Sequence, residues 1–117
     1  MAKSDIKKKR SPEIEIRWKE NNPEATYFQR DGYCIVAKVE NGKYILTRYG
    51  WGEAPDQGES IVVSARDTAR LKESLGVRHN DTLIKALGRR FALKEPHNSF
   101  LKILTSLERR GIPYERK

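Results

Sequence analysis

The spacing of the apolar residues divides this chain of 117 residues into two halves. Between residues 14 and 63 they mostly recur at every second position, which is the period of a β-strand with one buried face. From residue 68 onwards they recur at every third or fourth position, as on one face of an α-helix. The pattern predicts an α+β protein in which strands come first and helices follow.

Two consecutive β-hairpins are predicted in the first half. Residues 25–30, 33–40 and 43–49 are rich in strand-forming residues, and Asp31-Gly32 and Asn41-Gly42 separate them. These dipeptides are favoured in two-residue type I′ turns, because both turn positions require positive φ. The three runs therefore predict an antiparallel β-meander.

Further strands are predicted on either side of the hairpins. Ile14, Ile16 and Trp18 alternate with charged residues, and residues 60–63 form another β-rich run. The C-terminal tail allows a short last strand, which Pro113 confines to a sheet edge. We expect a meander of four to five strands before the helices, to which the C-terminal tail can add one edge strand.

Three short helices are predicted in the second half, packed on one face of the sheet. The first begins with Ser64-Ala65-Arg66-Asp67, which resembles a capping box, and ends at Gly76. The second is expected over residues 81–92 with Asn80 as its N-cap. The third is expected to begin at residue 98 or 99, after Pro96, and to end at residue 111.

The length is typical of a single domain. Residues 1–11 contain a run of basic residues and almost nothing apolar, so we expect a flexible basic arm there. Residues 12–117 are expected to form one domain, because the apolar residues in that range are periodic enough to build a core. Hydrophobic residues make up 37% of the chain and charged residues 34%, so the surface should be strongly polar.

The net charge of +8 is distributed unevenly along the chain. Residues 1–10 have five basic and one acidic residue, a net +4, and residues 11–59 have six and nine, a net −3. Residues 60–117 have thirteen and six, a net +7. The helical half and the arm are therefore basic and the meander is acidic, which favours a polyanionic partner for the basic parts.

The chain has little that indicates catalysis. Cys34 is the only cysteine, so it cannot form an intrachain disulfide, and it is expected to be a small buried hydrophobe. His79 and His97 lie in segments that connect helices, without a nearby nucleophile or metal-ligand pattern. We expect a protein that is not an enzyme and needs no metal or cofactor.

Basic residues on the predicted helices give the leading functional hypothesis, a non-enzymatic nucleic-acid-binding protein, for which regulation is one role. Basic residues four and seven apart lie on one face of a helix, so the second and third helices can each present a basic stripe. The arm can follow a further stretch of phosphates, and the pattern does not distinguish DNA from RNA or single from double strands. The predicted phosphate contacts are Lys7, Lys8, Lys9, Arg10, Lys85, Arg89, Arg90, Lys102, Arg109 and Arg110.

The second and third helices also have the rhythm of a helix-turn-helix motif. Against this interpretation, the connection between them contains Pro96 and is longer than the usual turn of three or four residues. In this arrangement the third helix would face the bases with Ser99, Lys102, Ser106 and Arg109.

A different nucleic-acid surface is conceivable on the sheet. Aromatic residues interleave with basic ones along the meander, as in proteins that bind single strands by stacking. The meander is net acidic, however, and aromatic residues on strands usually pack in a core. The aromatic residues concerned are Tyr27, Phe28, Tyr33, Tyr44, Tyr49 and Trp51.

The alternative function is a protein–protein interaction module such as an adaptor, an inhibitor or an assembly component. Trp51 lies between two glycines in a predicted loop, with Tyr49 close before it, and both are candidate partner contacts. The opposite charges of the two halves also make head-to-tail self-association conceivable.

No secretory signal and no run of about 20 apolar residues is present. We therefore expect an intracellular, cytoplasmic protein, or a nuclear one if the source is eukaryotic.

Overall fold

The computed structural model describes residues 22–30, 32–50, 57–93 and 95–117 of the chain. These residues form an antiparallel sheet of five strands and three α-helices, which confirms the predicted α+β fold. The strands are β1 Glu24–Arg30, β2 Tyr33–Glu40, β3 Lys43–Tyr49, β4 Glu59–Val63 and β5 Glu115–Arg116. The helices are α1 Ala65–Leu75, α2 Asn80–Phe91 and α3 Ser99–Arg109, and a 3₁₀ helix, Pro96–Asn98, precedes α3. The predicted strand near residue 14 and the predicted basic arm lie outside the described residues.

The strands follow one another in chain order, β1-β2-β3-β4-β5, as a meander does. At the β2–β3 turn, Asn41 and Gly42 have φ values of 55° and 80°, and Glu40 pairs with Lys43. Both values lie where a type I′ turn requires them, so the prediction for this turn is confirmed. At the β1–β2 turn, Gly32 has a φ of 78°, while Asp31 lies outside the described residues.

The first strand contains an irregularity that the sequence pattern did not predict. Between Thr26 and Phe28 the pairing of β1 with β2 shifts by one residue, so Tyr27 has no partner across the ladder. The Tyr27 hydroxyl donates a hydrogen bond of 2.8 Å to the backbone carbonyl of Ile84 and lies 3.3 Å from the hydroxyl of Tyr44. The shift thus accompanies a polar connection between the sheet and α2 inside the core.

These two buried tyrosines predict a loss of stability at alkaline pH. Burial raises the pKa of both, and interaction with Tyr44 raises that of Tyr27 further, while their hydrogen bond partly lowers that of Tyr44. In the unfolded chain both titrate near pH 10, so the folded state binds more protons above that pH and its stability falls. The expected slope is up to about 1.4 kcal/mol per pH unit for each tyrosine.

Urea unfolding followed by circular dichroism between pH 8 and 11.5 measures this effect. Lysine side chains also titrate in this range, so the comparison that matters is with Tyr27→Phe, in which one of the two buried phenols is absent. The variant should lose stability less steeply above pH 10. Equal slopes for the two proteins would contradict the prediction.

The helix ends follow the predicted signals in α1 but not in α2. Ser64 Oγ accepts a hydrogen bond of 3.1 Å from the backbone N–H of Asp67, and Gly76 has a φ of 74° at the C-cap, as predicted. The predicted N-cap of α2 is wrong, because His79 occupies that position and makes no side-chain cap. Asn80 Oδ1 instead accepts a hydrogen bond of 2.9 Å from Lys72 Nζ on α1.

The three helices pack on one face of the sheet, as predicted, with α2 against β1 and β2, and α1 and α3 against β3. Thr68 of α1 satisfies its buried hydroxyl there: its Oγ1 accepts from the Tyr44 N–H and donates to the Val63 carbonyl, both at 3.1 Å. Side chains with no exposed surface from both layers close this core: Ile35, Ala37, Val39, Tyr44, Leu46, Ile61, Leu71, Leu83, Ile84, Leu87, Ile103 and Leu107.

An arginine joins the sheet to α3 at one end of this core. The guanidinium carbon of Arg48 lies 4.4 Å from the centroid of the Phe100 ring, a cation–π contact. Its Nε and Nη2 donate to Glu59 Oε1 at 2.9 and 2.7 Å, and Arg116 of β5 donates to the other oxygen of Glu59. Burial lowers the pKa of Arg48, but hydrogen bonds with Glu59 and Tyr33 raise it to a net value above the ordinary one.

The last strand, predicted within residues 112–115, is present at the sheet edge but lies further along the chain. Only Glu115 and Arg116 pair with β4, and Ile112 is buried in the core instead. Gly111, with a φ of 70°, ends the helical turn after α3, and the backbone N–H of Ile112 donates a 2.9 Å hydrogen bond to the carbonyl of Leu107, which holds Ile112 against the end of the helix.

Candidate nucleic-acid interface

A groove of about 630 Å³ lies between the C-terminal end of α2 and the outward face of α3. Four of the basic residues that the sequence analysis singled out line it: Arg90 from α2, and Lys102, Arg109 and Arg110 from the third helix and its C-cap. The spacing of basic residues within one helix cannot predict a surface that two helices form together.

The helical repeat of α3 explains why its basic residues reach the groove. Phe100, Ile103, Leu104 and Leu107 are buried and define the side that faces the sheet. Lys102 and Arg109 are two turns apart on the opposite side, which also includes Thr105. The amphipathic pattern therefore determines both the core face of α3 and its basic face.

Two of the four cations are available to a ligand. Arg90 and Arg109 are exposed, and neither forms a hydrogen bond or ion pair with any residue that the structure describes. Their guanidinium groups remain charged at any physiological pH and can each bind a phosphate in a bidentate manner. These two residues are the strongest candidates for phosphate contacts.

Lys102 already has an acidic partner. Its Nζ lies 2.9 Å from Glu95 Oε1, and this hydrogen bond, with one from Asn98, holds the pKa of Glu95 below its ordinary value. Both side chains are well exposed, at 40% for Lys102 and 54% for Glu95, so the pair contributes little to stability. A phosphate can therefore replace Glu95 at small cost.

Arg110 has a structural role that the sequence did not predict. Its guanidinium group donates to Ser106 Oγ at 3.2 Å and to the carbonyl oxygen of Ser74 at 3.3 Å, and it also bonds the Ser74 hydroxyl. Ser74 lies in the last turn of α1, so Arg110 connects α1 to the C-terminal end of α3. Although it lines the groove, Arg110 is less available to a ligand than Arg90 or Arg109.

The groove also has an apolar part that the sequence analysis missed. Phe91, half-buried at the end of α2, and Leu101, with 54% of its surface exposed, lie among the cations. A signal for Leu101 exists in the sequence, because it is an apolar residue outside the periodic apolar face of α3. Phe91 packs against the core and also contributes to the groove.

The other basic residues of the hypothesis are not part of this groove. Lys85 is half-buried and Arg89 is exposed on α2, and neither has a partner among the described residues. They lie four residues apart on the side of α2 that faces away from its buried residues. The arm residues Lys7, Lys8, Lys9 and Arg10 lie outside the described part of the chain.

The helix-turn-helix interpretation needs a correction. Ser99 is completely buried and its hydroxyl donates a 2.8 Å hydrogen bond to the carbonyl of Pro96, so it cannot face bases. The connection between α2 and α3 covers residues 92–98 and includes the 3₁₀ helix, well beyond the usual turn.

The aromatic residues of the sheet do not form a stacking platform either. Tyr27 and Tyr44 are buried in the core, and Phe28 and Tyr33 pack against it with their ring centroids 5.8 Å apart. Tyr49 is half-buried on β3, whereas Trp51 lies outside the described residues.

The described residues include no candidate metal site. Among them no group of three or more histidine, cysteine or acidic side chains is placed to hold a metal ion. Cys34 is buried, as expected, and the His97 ring packs edge-on against Phe28 with centroids 6.3 Å apart. Within the same described ranges, each helix is too short or too polar to cross a lipid bilayer.

Comparisons with protein-family models, with curated proteins and with solved structures found no match for this chain.

Proposed function

We propose that this protein binds nucleic acid without catalysing a reaction, and that the groove between α2 and α3 contacts the phosphates. The supporting observation is that Arg90, Lys102 and Arg109 surround one concave surface, and that two of them have no partner in the described part of the chain. Lys85 and Arg89 extend the basic area along α2, and the basic arm supplies further contacts from Lys7, Lys8, Lys9 and Arg10.

Salt dependence is the property that tests this proposal. Each phosphate neutralised by a lysine or arginine releases condensed counterions, so log K falls with log salt by about 0.9 per contact on duplex DNA. Three to four contacts in the groove predict a loss of affinity on the order of 100-fold between 50 and 200 mM salt.

The measurement is fluorescence anisotropy of labelled DNA and RNA oligonucleotides, titrated with the full chain at several salt concentrations. If the slope of log K against log salt is much steeper than three to four contacts in the groove explain, the additional phosphate contacts are assigned to the arm and to Lys85 and Arg89. Absence of binding even at low salt would refute the proposal.

The alternative proposal is a protein–protein interaction module. Two exposed leucines favour it, because Leu93 has 41% and Leu101 has 54% of its surface accessible. A partner with an acidic, amphipathic segment would match Leu101 and the cations that line the groove with it. Tyr49 and Trp51 remain candidate contacts for such a partner, on a separate part of the chain.

A further inference from the structure

We infer that the groove accepts an unpaired base together with its phosphates, so that the protein prefers single-stranded nucleic acid to a duplex. This inference rests on the proposed function and concerns the same groove. Its starting point is that Phe91 and Leu101 line the same groove as Arg90, Lys102 and Arg109. Neither apolar side chain is needed for contacts with phosphates.

The apolar surface can contact the face of a base only when that base is unstacked. In a duplex the base faces are covered by their neighbours, and a protein meets phosphates, sugars and base edges. In a single strand the faces are open, and they stack on aromatic side chains. The half-buried ring of Phe91 provides an aromatic face, and the exposed side chain of Leu101 adds apolar contact in the same groove.

The dimensions of the groove agree with this assignment. Its volume of about 630 Å³ lies inside the range of roughly 300–1,000 Å³ that is typical of small-molecule sites. A nucleobase with its sugar fits within that volume. A convex basic surface would be sufficient for a duplex backbone, whereas a concave one can also contact the face of a base.

The distribution of charge around the apolar part supports a nucleotide chain over an uncharged ligand. Arg90 and Arg109 approach the groove from two different helices, so a strand that crosses it can place phosphates on both sides of the base. Lys102 adds a third contact when a phosphate replaces Glu95, its present partner. The arrangement combines stacking with backbone neutralisation, as in other single-strand binders.

The polar side chains of the groove give little means of reading a sequence. The Thr105 hydroxyl donates to the carbonyl of Leu101 at 3.0 Å, and Ser106 Oγ accepts from Arg110. Asn98 Nδ2 donates to Glu95 at 3.4 Å. Because these groups already have partners, we expect binding that depends weakly on base sequence.

The test compares a single-stranded oligonucleotide of 12 bases, as DNA and as RNA, with the duplex of the same sequence. The full chain, Leu101→Ser and the matched control Leu93→Ser are each titrated at low salt. Leu93 is also exposed but does not line the groove, so the two substitutions differ mainly in position.

We expect the single strand to bind more tightly than the duplex. Leu101→Ser should weaken single-strand binding about fivefold to tenfold and leave duplex binding unchanged, while Leu93→Ser changes neither. Leu101→Trp should strengthen single-strand binding about fivefold, since a larger flat surface is offered to the base. This gain cannot arise from a loss of folding.

Three results would overturn the inference, and they differ in what they imply for the proposed function. Equal or tighter duplex binding, or single-strand binding that is insensitive to Leu101, would refute the stacking site and leave the phosphate contacts standing. Absence of binding to every oligonucleotide would refute both. Saturable binding of an amphipathic peptide of glutamate and leucine, without binding of any oligonucleotide, would identify the groove as a protein-docking site.

Discussion

Replacing Phe100 by alanine should lower the free energy of unfolding by about 3–5 kcal/mol, the range for truncating a large buried aromatic side chain. Phe100 is 1% exposed, and its ring packs between α3 and the sheet. The substitution would leave a cavity in the core and would also remove the aromatic face above which the Arg48 guanidinium lies. The neighbouring substitution Leu101→Ala should change stability by no more than about 0.5 kcal/mol, because that side chain is exposed.

Urea denaturation followed by circular dichroism measures both variants. The midpoint for Phe100→Ala should fall strongly, and that for Leu101→Ala should stay close to the original value. The two residues are adjacent on α3, so the pair also tests which face of the helix meets the sheet. Similar destabilisation by both substitutions would show that α3 is rotated relative to the arrangement described above.

The parts of the fold that depend on local chemistry were predictable from the sequence. Asn41-Gly42 specifies a type I′ turn because Gly has no side chain to oppose positive φ and Asn tolerates it, whatever the rest of the chain does. Ser64 caps α1 because its hydroxyl reaches an N–H only three residues away.

The parts that depend on distant residues were not predictable in this way. The irregularity in β1 places Tyr27 where its hydroxyl meets the carbonyl of Ile84, which is 57 residues further along the chain. Asn80 is a favourable N-cap residue, yet its side chain accepts a hydrogen bond from Lys72 on the preceding helix. The propensity of a residue for a cap or a strand position reflects its interactions with neighbours in the sequence. At Tyr27 and Asn80, contacts with residues that are distant in the sequence determine the side-chain hydrogen bonds instead.

The same distinction between local and long-range interactions applies to the candidate site. Amphipathic spacing was sufficient to identify Lys102 and Arg109 as outward-facing, because that depends on one helix alone. It did not separate Arg90, which reaches the groove, from Arg89, which does not, because this depends on how α2 packs beside α3. It also treated Arg110 as equivalent to the others, although Arg110 bonds with Ser74 of α1.

Replacing both Arg90 and Arg109 by alanine should reduce the affinity for nucleic acid at least about tenfold at 0.1 M salt. Two charge-assisted contacts to phosphate are lost, and the slope of log K against log salt should become shallower by about two. Folding should be unaffected, because both side chains are exposed and have no partner in the described part of the chain. Circular dichroism and the urea midpoint verify this directly.

The matched control for that variant is the double substitution Arg66→Ala and Arg78→Ala. Both arginines are exposed and neither lines the groove. Each double variant loses two positive charges, so the net charge falls from +8 to +6 in both. Any effect of overall charge on association is therefore the same, and only the position of the lost charges differs.

We expect the control to lose less than about threefold in affinity, since long-range attraction between exposed charges is screened beyond about 10 Å at 0.1 M salt. Equal losses in the two variants would mean that binding follows net charge and that the groove is not the site. If neither variant loses affinity, the phosphate contacts are assigned to Lys85, Arg89 and the arm. A selective loss in the groove variant, with the shallower salt slope, would assign phosphate binding to the residues that α2 and α3 bring together.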